Sequence, residues 1–328
     1  MNVQLDRIAN NGQGLSVFKV FTADTADGIA YKGNPATVVI VDSLPTLKDH
    51  LALLQRLNNT DTKKQVIPEF MTLVYISPLN LGLNLNDKLN SNPNEFAIRW
   101  FSSTSVIKRC GHGTLAAAAF LVEHHKNDLL STPYSSLLTL RFHSDSESLN
   151  VRVIQQKDSL RINSNSFALQ LEQESLVASH KMLHLGANLN ILRENKTNND
   201  DGYLIIELSS AREVAEFTLT TSIIDAIAER ALIVTAVAKN KHFDVAFRYF
   251  APFYGQLEDS ATGSAASVLS PFWEALSQAG QLRCYQASQN GGFFIIEKNN
   301  NNNHLGSASN TIAVIGHVTS TALTDYTQ

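Results

Sequence analysis

Two short turns carry the side chains best placed to handle protons. The first, Cys110-Gly111-His112-Gly113-Thr114, follows Arg99-Trp100-Phe101 and leads into the apolar run Leu115 to Val122. The second, Glu258-Asp259 to Ala261-Thr262-Gly263-Ser264, follows Arg248-Tyr249-Phe250 and leads into Ala265 to Trp273. Arg248 lies 149 residues after Arg99, and Gly263 lies 150 after Gly113. A glycine turn that opens a helix points backbone N–H groups at whatever lies in front, which suits an anion. Similar scaffolds with unlike titratable groups suit a proton that leaves a substrate at one point and returns at another. The plainer reading is a pair of helix starts capped by Thr114 and Ser264. The repetition at matching spacing weighs against it and suggests a ligand held between two similar domains.

The elements that must position these turns are strands with apolar alternation or β-branched runs, and helices with apolar spacing. In the first half the pattern predicts strands over Leu15 to Thr22, Ala36 to Val41, Phe70 to Ile76, Phe96 to Phe101, Leu137 to Phe142, Leu149 to Ile154 and Leu160 to Ile162. Helices are expected over Leu47 to Leu57 and Thr114 to Val122, and a surface hairpin over Leu79 to Asn94. In the second half strands are expected over Tyr203 to Leu208, Leu232 to Val237, Phe243 to Phe250, Leu282 to Ala287, Phe293 to Glu297 and Ile312 to Val318. Short helices fit Ala211 to Phe217 and Ser222 to Glu229. A long helix fits Ala265 to Ala279, with Pro271 as a kink. Residues 1–14 read as a frayed extension and the Asn run at 299–303 as a hairpin tip.

The chain has 328 residues, enough for two domains, with 44% hydrophobic and 17% charged residues and a net charge of −4. The pI of about 6.2 gives no case for nucleic acid. No His/Cys set has metal-ligand spacing. Two cysteines, Cys110 and Cys284, make no disulfide framework and fit a reducing cytoplasm, each as a small buried hydrophobe. No apolar run approaches the ~18 residues of a membrane span.

The motifs resemble those of the PhzF-like phenazine-biosynthesis isomerase family. They are Phe18-Lys-Val-Phe-Thr22, Gly33-Asn34-Pro35-Ala36, Arg99-Trp100-Phe101, Cys110-Gly111-His112, Arg248-Tyr249-Phe250-Ala251-Pro252, Glu258-Asp259 and Thr262-Gly263-Ser264-Ala265. Gln286, Ser288 and Gly291-Gly292 continue the match, so it covers nearly the whole chain in order. The resemblance implies a mixed α/β fold of the diaminopimelate epimerase type: two similar domains, each a curled mixed sheet around a central helix, with the site in the cleft between them. The domains are expected at residues 1–155, with the strand at about 316–328 returning to them, and at 156–315.

The implied activity is cofactor-independent isomerisation or epimerisation of a small carboxylate-bearing metabolite, without metal. Glu69, in Pro68-Glu69-Phe70, takes the place of the family's base. His112 and Asp259 support it, and Asn34, Gly111, Gly113, Thr262, Gly263 and Ser264 bind substrate. A cytoplasmic homodimer is implied, with neither nucleic acid nor membrane as partner. Three departures are visible: the residues flanking Glu69, Ala261 in place of the usual Val, and Asn290 where the family often has Arg, whose forked charge Asn lacks. They motivate the alternative of a ligand- or protein-binding module without turnover. Nucleotide binding finds no support, since no Gly-x-Gly-x-x-Gly follows a strand.

Overall fold

In four stretches nearly every position is apolar, the pattern of strands covered on both faces. A computed structural model describes residues 15–24, 30–59, 71–79, 94–124, 139–154, 166–180, 189–198, 202–254, 256–277, 280–298 and 311–321. The strands are β1 (Ser16–Val20), β2 (Ala23–Asp24), β3 (Ala30–Tyr31), β4 (Asn34–Ile40), β5 (Thr72–Pro78), β6 (Glu95–Phe101), β7 (Val106–Ile107), β8 (Thr139–His143), β9 (Ser148–Ile154) and β10 (Ser166–Glu174). They continue with β11 (Ala178–His180), β12 (Ile191–Thr197), β13 (Tyr203–Leu208), β14 (Ala231–Val237), β15 (Val245–Ala251), β16 (Gln256–Glu258), β17 (Gln281–Gln286), β18 (Gly292–Lys298) and β19 (Thr311–Thr321). The α-helices are α1 (Leu47–Asn59), α2 (Gly111–His124), α3 (Ala211–Glu216), α4 (Thr221–Ile227) and α5 (Ala266–Phe272). The four apolar runs are β4, β5, β13 and β14.

The described residues fall into two compact units. One takes those up to Val20, Pro35–Leu171 and those from His317 onward; the other takes Phe21–Asn34 and Glu172–Gly316. The sequence reading placed the boundary near residue 155 and assigned Phe21–Asn34 to the first half.

In the first unit β4 pairs parallel with β5, β5 antiparallel with β6, β6 parallel with β8, β8 antiparallel with β9, and β9 antiparallel with β10. The second unit repeats the order: β13 parallel with β14, β14 antiparallel with β15, β15 parallel with β17, β17 antiparallel with β18, and β18 antiparallel with β19. In each, a short strand also hangs antiparallel on the same member, β7 on β6 and β16 on β15. Each parallel pair needs a crossover: α1 lies between β4 and β5 and α2 between β6 and β8, while α3 and α4 lie between β13 and β14 and α5 between β15 and β17.

Each unit has a helix on one face of its sheet and a crossover on the other. In the first, α2 packs on β1, β5 and β9 and is buried from Gly111 to Val122. A helix apolar all round belongs in a core, and its run Ala116 to Ala119 lets the strands come close. On the other face Leu53 and Leu57 of α1 pack with Val39, Leu73, Tyr75 and Phe101. In the second unit Val214, Phe217, Ile223 and Ile227 pack with Leu204, Ile206, Leu232, Val234 and Phe250. The arginines that open the two sequence repeats tie down the crossovers. Arg99 Nη1 donates to Pro45 O at 2.9 Å and the guanidinium pairs with Asp145. Arg248 Nη1 donates to Ala215 O and Phe217 O at 3.1 and 2.6 Å, and its fork holds Glu258 at 2.7 Å on both oxygens.

Some elements differ from the sequence reading. The long helix expected over 265–279 is a 3₁₀ turn at Gly263–Ala265, then α5, then a second 3₁₀ turn at Glu274–Leu276. Pro271 sits inside α5 and cannot donate to the carbonyl four residues back, Ser267 O. Leu176 N–H takes that carbonyl at 2.8 Å. The strands β10, β11 and β12 were missed; β12 reads Ile-Leu-Arg-Glu-Asn-Lys-Thr, too polar to signal a strand. The expected extension at 1–14, the strand at 160–162, the Asn run at 299–303 and Glu69 lie outside the described residues, as do all but the two end residues of the hairpin expected over Leu79 to Asn94.

His50, in the first turn of α1, is fully buried. Its Nε2 faces Ser102 O at 2.8 Å and must carry the proton, so Nδ1, 3.1 Å from Tyr75 Oη, accepts from the phenol. Burial holds this imidazole below its ordinary value of 6.5, and pushes the Tyr75 hydroxyl up. The neutral form is favoured in the folded chain, so below pH 6.5 the unfolded chain binds the extra proton and stability is lost as pH falls. The thermal midpoint should therefore drop between about pH 7 and about pH 5, and His50→Gln should flatten that drop while lowering the midpoint at neutral pH. Calorimetry across that range reads both, and an unchanged slope in the variant would remove His50 as its source.

Candidate functional site

In the first unit the turn at 110–114 opens α2. The N–H groups of Gly111, His112 and Gly113 precede the first intrahelical bond, which Thr114 N makes to Cys110 O at 3.0 Å. Thr114 does not cap the helix: its hydroxyl donates back to Cys110 O at 2.8 Å. His112 is buried, and its Nε2 lies 3.1 Å from Thr72 Oγ1 at the start of β5. Cys110 Sγ lies 3.5 Å from His112 Nδ1, so this thiol sits against an imidazole rather than serving only as a small apolar filler. Cys284 is fully buried in β17, and burial pushes its thiol up.

Gly113 is required by space. A Cβ there would lie 2.8 Å from Trp100 Cδ1, 3.0 Å from Cys110 Sγ and 3.0 Å from Val74 Cγ2. Trp100 is 1% exposed beneath it, and its indole Nε1 has no hydrogen-bond partner among the described residues. In the second unit the corresponding glycine, Gly263, rests on Phe21, whose Cζ would lie 2.8 Å from a Cβ at 263. Phe21 is fully buried with φ of 65°, a left-handed conformation that costs a non-glycine residue energy. Its carbonyl accepts from Phe293 N at 3.0 Å and its ring lies 5.2 Å from that of Phe294, which holds it there.

Asp259 is partly exposed and held at both carboxylate oxygens. Asn34 Nδ2 donates to Oδ1 at 2.6 Å and to Ala261 O at 3.1 Å; Thr262 Oγ1 donates to Oδ2 at 2.6 Å. Gln286 is fully buried behind them: its Oε1 accepts from Thr262 N at 2.6 Å and its Nε2 donates to Asp259 O. Ser264 hydrogen-bonds Tyr249, a phenol pushed well up mainly by burial and further by Tyr203 and Asp259. Gln173 Nε2 donates to Gly263 O at 3.0 Å. Asn290 reaches Ser260 Oγ at 3.2 Å and accepts Lys32 N at 2.9 Å through its carbonyl.

The structure thus places Gly111, His112 and Gly113 together in one unit, and Asn34, Asp259, Thr262, Gly263 and Ser264 together in the other. Of the two acids in the second turn, Glu258 is paired with Arg248, while Asp259 is held by Asn34 and Thr262. The residues that sequence missed are Thr72, Gln173, Tyr249 and Phe21, together with Gln286 as the support of Thr262. Thr72 is a polar residue at the start of an apolar strand, a weak signal, whereas Gln286 ends the mixed strand Gln-Leu-Arg-Cys-Tyr-Gln, where nothing sets it apart. Among the described residues no group of three or more His, Cys, Asp or Glu could hold a metal ion, and no helix is long and apolar enough to cross a membrane.

The family model for phenazine biosynthesis-like proteins, PhzC-PhzF, matches residues 19–322. The chain belongs to this family. Among PhzF relatives, an uncharacterised isomerase of Halalkalibacterium halodurans is 25% identical over 279 residues, covering 83% of this chain and 88% of the relative. Phenazine biosynthesis-like domain-containing protein 1 of Mus musculus is 26% identical over 288 residues, covering 83% and 89%. A PhzF family crystal structure from Enterococcus faecalis has the same fold, with a TM-score of 0.63 at 21% identity over 94% of this chain and 97% of that one.

Two substitutions test this geometry. Gly113→Ala should cost about 1–3 kcal/mol, because Trp100, Cys110 and Val74 must all give way. Asn34→Asp removes two donors and sets a second carboxylate against the first, and should cost about 2–4 kcal/mol at neutral pH. Urea unfolding measures both; wild-type stability in either variant would contradict the packing described.

Proposed function

We propose that the chain is an isomerase that moves a proton on a small carboxylate-bearing metabolite by general acid/base catalysis, without metal or organic cofactor. The observation that carries this reading is Asp259, a partly exposed carboxylate fixed at both oxygens beside a helix start. His112, at the start of α2 on Thr72 and Cys110, is a second proton-handling group held in place. Membership of the PhzF family supports the reading, and so do the names of relatives: the uncharacterised isomerase of Halalkalibacterium halodurans, and another of Pseudomonas aeruginosa, 29% identical over 179 residues.

In this mechanism Glu69 takes a proton from carbon next to the carboxylate-bearing group. The negative charge that develops is met by N–H groups of the helix starts, which need no reorganisation. His112 and Asp259 hold or return the proton. The choice of Glu69 rests on the family resemblance. A cytoplasmic homodimer belongs to the same reading.

The test is solvent deuterium entry into a panel of small cyclic and amino-acid carboxylates. A substrate should exchange with the wild-type protein. Glu69→Gln should abolish exchange while leaving binding largely intact, and His112→Asn and Asp259→Asn should each slow it by about 10²–10⁴-fold. Wild-type exchange in Glu69→Gln rules out that base. Tight binding of a carboxylate with no exchange at all would favour the module that binds without turnover.

A further inference from the structure

Sequence resemblance casts Asn34 and Thr262 as substrate binders, yet the Thr262 hydroxyl donates to Asp259 and the Asn34 amide to Asp259 and the Ala261 carbonyl. The direction of every bond in this cluster can be assigned. Gln286 Oε1 faces Thr262 N–H at 2.6 Å, and Gln286 Nε2 faces the carbonyl of Asp259. Flipping that amide would set donor against donor and acceptor against acceptor, so its orientation is fixed. Gln286 Nε2 also donates to Thr262 Oγ1 at 3.3 Å. With its oxygen accepting there, the single Thr262 hydroxyl hydrogen goes to Asp259 Oδ2, 2.6 Å away. Asn34 is fixed likewise, because its flipped amide would set Oδ1 against Asp259 Oδ1 and Ala261 O. All donors converge, and Asp259 accepts at both oxygens.

Resting on the proposed function above, we propose that Gln286 is a positioning residue for the reaction. It acts through Thr262, setting the direction of the hydroxyl and the place of the Asp259 main chain, so that Asp259 is presented to the substrate in one orientation. Asn34, brought from 225 residues away, closes the other side of the same clamp. The fully buried Gln286 need touch no ligand to do this.

The decisive variant is Gln286→Glu. It keeps the shape and the oxygen that accepts from Thr262 N–H, but it removes both donations from Nε2. A double-mutant cycle with Asp259→Ala separates positioning from a structural or substrate-binding role. The assay uses the first carboxylate of the panel that takes up deuterium with the wild-type protein, and thermal midpoints confirm that each variant folds. Gln286→Glu should lower kcat for exchange by about 10- to 100-fold with KM within about twofold, as expected when a reacting group is misplaced by an ångström or less. In the Asp259→Ala background the same change should have no further effect. Multiplying effects, or a loss confined to KM, would overturn the inference and leave the isomerase reading standing. Wild-type exchange in Asp259→Ala would overturn it too, with the isomerase reading then resting on Glu69. If no carboxylate exchanges with the wild-type protein, the isomerase reading fails and the inference with it. Should Gln286→Glu not fold, Thr262→Val takes its place in the cycle with the same expected outcomes.

Discussion

In each unit the turn that opens a helix is packed so tightly that its glycine has no room for a side chain. At position 113 the indole of Trp100, the thiol of Cys110 and a methyl of Val74 fill the space where a Cβ would go; at 263 the ring of Phe21 does. This contact sets the height of the helix start above the strands, and with it the position of every group on the turn. It has costs. The Trp100 N–H, shut in under the contact, finds no acceptor among the described residues. Phe21 holds a left-handed backbone. A lost buried hydrogen bond and a strained residue each amount to about 1–3 kcal/mol, small beside the apolar area that the helices and crossovers bury on the two faces.

The scaffold repeats while the chemistry diverges. Equivalent arginines, Arg99 and Arg248, hold equivalent crossovers by the same pair of moves, carbonyl oxygens on one nitrogen and a carboxylate on the fork. The turns then differ. One side offers an imidazole in contact with a thiol and a threonine; the other offers a carboxylate gripped by an amide and a threonine. A repeated frame keeps both turns rigid and leaves their side chains free to differ.

Much of this was legible in the sequence. Apolar runs covered on both faces named β4, β5, β13 and β14, and the paired glycine turns named the helix starts. What could not be read depended on distant partners. Asn34 and Thr262 look like ligand-binding residues until Asp259 is seen between them, and Asn34 lies 225 residues away in the chain. Glu258 looks as reactive as Asp259 until Arg248 is seen holding it. The apolar spacing over 265–279 reads as one long helix kinked at Pro271, but the helix ends at Phe272, and Leu176 N–H takes the carbonyl that Pro271 leaves. The polar strand β12 gave no alternation to detect, since its order comes from pairing with β11 and β13.

The assignment of Phe21–Asn34 to the second unit bears on how such a chain can change through recombination. Phe21 supplies the floor under Gly263 and Asn34 one jaw of the Asp259 clamp, both more than 200 residues earlier in the sequence. A crossover that joined the first half of one relative to the second half of another would split both contacts across parents. A cut at the middle of the chain therefore does not separate the two units, since each takes a segment from beyond it or before it.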